Sequence, residues 1–256
     1  MNDTFVHRYE SDPSRPTVGA ALRDAALRVL APAVVLFGAI VGLGLLIVGP
    51  FGGLPWENDV SRDVQSLRTS TWDTVTMLWS RIGNTEIIIG VCVLVVALVW
   101  WRTKQWWYAV VPAIAIAAQA SVFVAATTIV GRDRPKVAHL DPAPPTSSYP
   151  SGHVGAATAL YLTFAFMAQR IERSWLRRLV GVVCAVMPFL VAWARLYRGM
   201  HSLVDIVIGL LNGVICALLA WHYLRRRSAR GRVAGRERDA VSADAAARPA
   251  GRQTSA

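Results

Sequence analysis

Long apolar runs alternate with short polar stretches along this chain. Runs over residues 30–48, 87–101, 107–130, 154–168, 179–193 and 203–224 are each bounded by charged or turn-forming residues. At about 1.5 Å per helical residue, such runs approach the ~30 Å of a bilayer's hydrocarbon core. The pattern predicts an all-α integral membrane bundle of six transmembrane helices. Residues 50–85 are mixed, with Val60, Val64 and Leu67, then Trp72, Val75 and Leu78, recurring at helical spacing. That spacing predicts one or two amphipathic helices lying at the membrane surface. Gly38 and Gly42 in the first run permit close helix packing. They suit either an ordinary membrane helix or a homodimer through glycine-containing spans. Pro188 in the fifth run predicts a kink. The domain reading is a polar cytoplasmic segment over 1–27, a membrane domain over 28–226, and a disordered basic tail over 227–256 that lacks apolar periodicity.

Composition and charge sharpen this picture. Of 256 residues, 54% are hydrophobic, which is too apolar for an ordinary soluble domain. The net charge of +11 raises the question of nucleic acid. Much of it lies in the two ends and in short loops, such as Arg102–Lys104 and Arg170–Arg178, as the positive-inside rule requires. No nucleic-acid partner is needed to explain it. An even number of spans puts both termini on one side, with those basic loops, in the cytoplasm of a plasma (inner) membrane. The N-terminal stretch lacks a short apolar core with a cleavage site, so no cleaved signal peptide is expected. Cys92, Cys184 and Cys216 all fall inside apolar runs and read as inert core residues.

Costly polar residues collect where the runs begin or end, and there they point to function. They are Gly131-Arg132-Asp133-Arg134-Pro135, then Tyr149-Pro150-Ser151-Gly152-His153, then Arg195, His201 and Asp205. Two histidines with clustered arginines suggest phosphoryl chemistry. His201 and Asp205 are four apart, so on a helix they share a face. Asp205 is then expected to accept from one ring nitrogen and leave the other free to attack phosphorus; a buried structural His–Asp pair would show the same spacing. His153 follows Ser151 and Gly152 at the expected start of the fourth span. Free N–H groups there make a phosphate seat, although a turn capping a helix would also look like this. Arg134 and Arg195 are candidate phosphate clamps. Arg132, Lys136 and Arg198 lie nearby, and solvated charge beside a membrane is the competing reading for these three. His139 and Asp141 stand near His153 in sequence but lack compact ligand spacing, so neither a metal nor another cofactor is expected.

These three stretches resemble the type 2 phosphatidic acid phosphatase (PAP2) family, whose signature is Lys-x6-Arg-Pro, Pro-Ser-Gly-His and Ser-Arg-x5-His-x3-Asp. The second block is complete as Pro150-Ser151-Gly152-His153; the third reads Ala194-Arg195, His201, Asp205; the first ends at Arg134-Pro135 but holds Thr127 at its lysine position. The resemblance spans residues 56–224. It implies His201 as nucleophile through a phosphohistidine, His153 as general acid, and Asp205 as the third catalytic residue. Phosphate would be bound by Arg134, Ser151, Gly152 and Arg195. Thr127 lacks the lysine's charge, so Arg132 or Lys136 would have to serve as auxiliary contacts. The implied activity is hydrolysis of a lipid phosphate on the extracytoplasmic face. Undecaprenyl diphosphate, phosphatidic acid and phosphatidylglycerol phosphate are the candidate substrates, with membrane lipids as surroundings. A phosphotransferase using the same site, or a non-catalytic lipid or phosphate binder or transporter, stays open as an alternative.

Overall fold

A computed structural model describes residues 16–143 and 145–224. Eight helices are found there. Helix α1 spans Val18–Val48, α2 Trp56–Ser66, α3 Ser70–Ile82, α4 Thr85–Thr103, α5 Trp106–Val130, α6 Gly152–Ala168, α7 Ser174–Tyr197 and α8 Leu203–Tyr223. No strand occurs among the described residues. Helices α1, α4, α5, α7 and α8 are long and apolar enough to cross a membrane. The sixth apolar helix, α6, has 17 residues and is sheathed by α4, α5, α7 and α8. Its polar N-terminal turn sits inside the bundle, so it falls short of the length expected of a span. The tail over 227–256 and the first fifteen residues of the N-terminal segment lie outside the described residues.

Helix α1 begins at Val18, capped by Thr17, whose hydroxyl accepts from Ala20 N at 3.3 Å. It therefore starts well before the apolar run at residue 30 and passes through a π turn at Ala26–Leu30 just ahead of Pro32. Helix α7 continues through Pro188 without interruption and extends to Tyr197, which puts Arg195 in its last turn. Gly131, with φ of 64°, ends α5 in the left-handed conformation that glycine adopts at no steric cost, and turns the chain into the connector 131–151.

Two apolar cores hold the bundle. One joins α6 (Val154, Ala157, Leu160) to α7, α8 and α4 through Val191, Ile206 and Ile88. The other joins α1 (Ala33, Ile40, Ile47) to α5, α8 and Tyr149 of the connector. Glycine decides how closely elements approach. A Cβ on Gly209 would lie 2.7 Å from Ser151 O, and one on Gly213 would lie 2.5 Å from Gly155 O. Close helix approach through small residues thus brings the N-terminal ends of α6 and α8 together. Gly38 and Gly42, by contrast, have nothing within 4 Å of a built Cβ; in α1 the close contact falls at Gly44, against Tyr149 and Val130.

The short helices turn polar residues inward. On α2 the buried residues are Glu57, Ser61 and Val64, and on α3 they are Thr76 and Ser80; Leu67, Trp72 and Leu78 are exposed. The aromatic and leucine positions face outward because the inner partners of α2 and α3 are arginines, which need oxygen acceptors.

Candidate active site

The connector folds back on itself by three hydrogen bonds. Ser148 N donates to Arg132 O (2.8 Å), Ser148 Oγ to Asp133 O (2.8 Å), and Arg132 N to Ser147 Oγ (2.9 Å). This pin sets Arg134 beside the Ser-Gly-His turn. Ser151 N donates to Asp205 O (3.0 Å), and Arg134 Nη1 to Met200 O (2.7 Å), which tie the connector to the α7–α8 turn. Tyr149, wholly buried, anchors the turn from behind by donating its hydroxyl to Ile40 O at 2.9 Å.

Gly152, His153, Arg134, Arg195 and His201 then line one cavity of about 320 Å³. Its polar end holds these five. Its walls are Ile88 and Ile89 of α4 and Ile116, Phe123 and Val124 of α5. Ile89 and Val124 are exposed on the outer surface, so the apolar wall is continuous with the outside of the bundle. Helix α6 has no side-chain N-cap, which leaves its first-turn N–H groups free for an anion. A Cβ at Gly152 would lie 2.7 Å from the Phe123 ring, so the turn admits only glycine here without displacing that wall. The Ser151 hydroxyl, fully buried behind the turn, has no hydrogen-bond partner, nor do the Nε atoms of Arg134 and Arg195. Gln119 also lines the cavity, with an unpartnered buried amide nitrogen.

His201 Nδ1 lies 2.7 Å from the Ser148 carbonyl. A carbonyl only accepts, so Nδ1 carries the proton and Nε2 keeps its lone pair. Burial, and then the charges of Arg195 and Arg134, hold the ring well below the ordinary histidine pKa, so the imidazole is neutral. Asp205 does not receive His201, contrary to the expectation from their spacing. Helix α8 begins at Leu203 with Ser202 as N-cap, so His201 precedes the helix and the shared-face rule does not reach it. The Asp205 carboxylate instead completes a capping box on Ser202 N (2.9 Å) and accepts from Arg132 Nη1 (2.5 Å).

The other predicted residues divide. Arg132 is engaged by protein partners: its guanidinium is buried between Glu57 of α2 and Asp205, and also donates to Gly53 O at 2.9 Å. Burial lowers its pKa, but Asp205 and Glu57 outweigh that and raise it. Lys136 is exposed and borders a separate cavity of about 410 Å³, with Arg132, Arg134, Asn58 and Ser202. Thr127 is buried, lies outside the histidine cavity, and donates to Ser147 O at 3.3 Å.

Several residues not expected at the site support it. Asp141 accepts from Arg195 Nη1 (3.0 Å) and, through both oxygens, from Arg198 (2.6–2.9 Å). Burial pushes its carboxyl pKa up, but the two arginines and Ser80 outweigh that and hold it below the ordinary value. Ser80 Oγ accepts from Arg195 at 3.0 Å. Arg198, expected to be solvated, is buried and also donates to Asp73 O and Leu140 O. Asn84 meets His153. Arg195 is thus held from one side, while its Nε remains unpaired. No group of acidic, histidine or cysteine residues suited to a metal occurs among the described residues.

A bundle of apolar helices with two histidines and two arginines in one cavity at its end has the makings of a membrane phosphatase. The sequence profile of the PAP2 superfamily matches residues 105–229, just under half of the chain. The protein is a multi-pass integral membrane protein with the fold of PAP2-type phosphatases. The fold is similar to the crystal structure of a transmembrane PAP2-type phosphatidylglycerolphosphate phosphatase from Bacillus subtilis. That likeness has a TM-score of 0.65 and 21% identity, and covers 73% of this chain and 93% of that one. It is also similar to Aquifex aeolicus LpxE, with a TM-score of 0.51 and 19% identity over 63% of this chain and 92% of that one. No curated protein sequence matches significantly.

Proposed function

We propose that this protein hydrolyses a lipid phosphate through a phosphohistidine on His201. The observation that carries the proposal is the Ser148 carbonyl at 2.7 Å from His201 Nδ1, which leaves Nε2 with a lone pair in the cavity shared with His153, Arg134 and Arg195. Nε2 attacks phosphorus, and the bond from phosphorus to the leaving oxygen breaks. His153 gives that oxygen its proton, while Arg134, Arg195 and the first-turn N–H groups of α6 hold the remaining oxygens. Water, giving its proton to His153, then attacks the phosphohistidine, the P–N bond breaks, and phosphate leaves. Asp205 serves by fixing the turn that presents His201.

The apolar walls that run out to the bundle surface favour a substrate whose chain stays in the bilayer. Similarity to a phosphatidylglycerolphosphate phosphatase favours a phosphomonoester of that kind; phosphatidic acid and undecaprenyl diphosphate are the other candidates. The end of the bundle opposite the cavity carries Arg102, Lys104, Arg170, Arg173, Arg177 and Arg178. By the positive-inside rule that end, with both termini, belongs to the cytoplasm and the site faces away from it. The test is phosphate release by full-length protein in detergent from each of the three lipids, with EDTA present and His201→Ala as control. Release that survives EDTA and is lost in the variant is expected. Transfer of phosphate to an added alcohol without release would make it a transferase, and no turnover by folded protein would overturn the reading.

A further inference from the structure

Asn84 occupies the N-cap position of α4, yet its side chain does not cap the helix. Asparagine is among the best N-caps. Its Oδ1 instead lies 3.2 Å from His153 Nε2, across 69 positions of sequence. The preceding residue follows the same contour: a Cβ on Gly83 would lie 3.3 Å from His153 O and 3.4 Å from His153 Cβ. The Gly83–Asn84 turn therefore wraps His153 closely, and it directly follows the last turn of α3, where Ser80 holds Arg195.

The surroundings explain why His153 needs such a partner. Burial first, and then the facing Arg195 of α7 and Arg134 of the connector, oppose a positive ring, whereas Asp141 favours one. His201 of the α7–α8 turn faces it as well. Asp141 is already bonded to Arg195 and Arg198. Among the described residues, the Asn84 amide oxygen is the acceptor hydrogen-bonded to the His153 ring.

We propose that Asn84 is a positioning residue for His153: its amide oxygen receives Nε2–H, fixes the ring, and favours the protonated form that donates to the leaving oxygen. This rests on the reading of His153 as the general acid. An acceptor on Nε2–H stabilises the charged ring more than the neutral one. Removing it makes the acid deprotonate at lower pH, so the descending limb of kcat/KM moves down in pH. A carboxylate in its place moves that limb up.

The experiment uses full-length protein in detergent. It compares an alkyl phosphomonoester, phosphatidic acid, with p-nitrophenyl phosphate, whose leaving group needs no proton. Asn84→Leu is expected to lose about tenfold or more in kcat on the alkyl ester, within the range of general-acid contributions, and to lose far less on the aryl ester. Its descending limb shifts down, and that of Asn84→Asp shifts up with activity on the alkyl ester recovered. Equal losses on both esters, or an unmoved limb in both variants, would overturn the proposal. His153→Ala separates the two readings. If it too loses equally on both esters, the acid assignment fails and Asn84 falls with it. If His153→Ala discriminates between the esters and Asn84→Leu does not, the Asn84 inference alone fails.

Discussion

Glu57 offers the sharpest test of how the site is held. It is 2% exposed on the surface helix α2, while Arg132 is 7% exposed and Asp205 fully buried. Glu57 pairs with Arg132 and accepts from Val204 N at 2.7 Å, so one carboxylate braces both the connector and the first turn of α8. Glu57→Ala strips one counter-ion from a buried guanidinium. Removing one partner of a buried pair costs about 3–5 kcal/mol, and orphaning the Val204 N–H falls within the same change. Asp205 remains on Arg132, so the lower end, about 3 kcal/mol, is expected. At about 2–4 °C per kcal/mol for a chain of this size, melting drops by about 6–12 °C. Tryptophan fluorescence of the detergent-purified protein reads this directly. Glu57→Gln, which keeps an oxygen, should fall between Glu57→Ala and wild type. Asp59→Ala breaks only the exposed pair with Arg62 and should change melting by no more than about 4 °C, since exposed pairs are worth about 0–1 kcal/mol, at about 2–4 °C per kcal/mol. A Glu57→Ala protein melting within that same margin of wild type would refute the reasoning.

Three further outcomes follow from the geometry. The Asp141 carboxyl is held below its ordinary pKa by Arg198 and Arg195, so its contribution is present above the unfolded value of about 3.9 and is lost as pH falls through the folded one. Melting temperatures of wild type and Asp141→Asn should therefore differ most near neutral pH and converge below about pH 4. Thr127→Val should leave kcat/KM for a lipid phosphate within about twofold, since the removed hydroxyl makes one long bond to Ser147 O outside the histidine cavity. Gly209→Ala puts a Cβ 2.7 Å from Ser151 O; overpacking of about 1–3 kcal/mol should show as lowered melting, and the displaced Ser-Gly-His turn as a fall in kcat.

How much of this was legible in the sequence depends on the range of the interaction. The apolar runs marked every long helix, because burying or solvating an apolar stretch is decided locally; the ends moved because capping by Thr17 and the buried turn around Arg195 leave no mark in hydropathy. Pro150 to His153, Arg134, Arg195 and His201 could be singled out because charge is costly where apolar runs end. The partners of those residues could not. Helical spacing pairs Asp205 with His201, but the helix starts two residues too late for that rule. Arg132 and Arg198 looked like solvated charge because their acceptors, Glu57 and Asp141, come from distant segments. Glu57 itself is one acidic residue among several in an amphipathic stretch. Its inward orientation became visible only once the arginines it faces were in place. Asn84 carried no signal beyond that of an ordinary helix cap.

The central claim is that His201 takes the phosphoryl group. The most direct measurement is rapid acid-free quenching of full-length protein after mixing with a lipid phosphate labelled on the phosphoryl group, followed by mapping of protein-bound label. An alkali-stable, acid-labile label on His201 is expected in wild type. The label should be stronger in His153→Ala when the substrate has a good leaving group, because the water step is then slowed, and absent in His201→Ala. Sustained turnover with no protein-bound label in wild type or His153→Ala, or label that persists in His201→Ala, would contradict it.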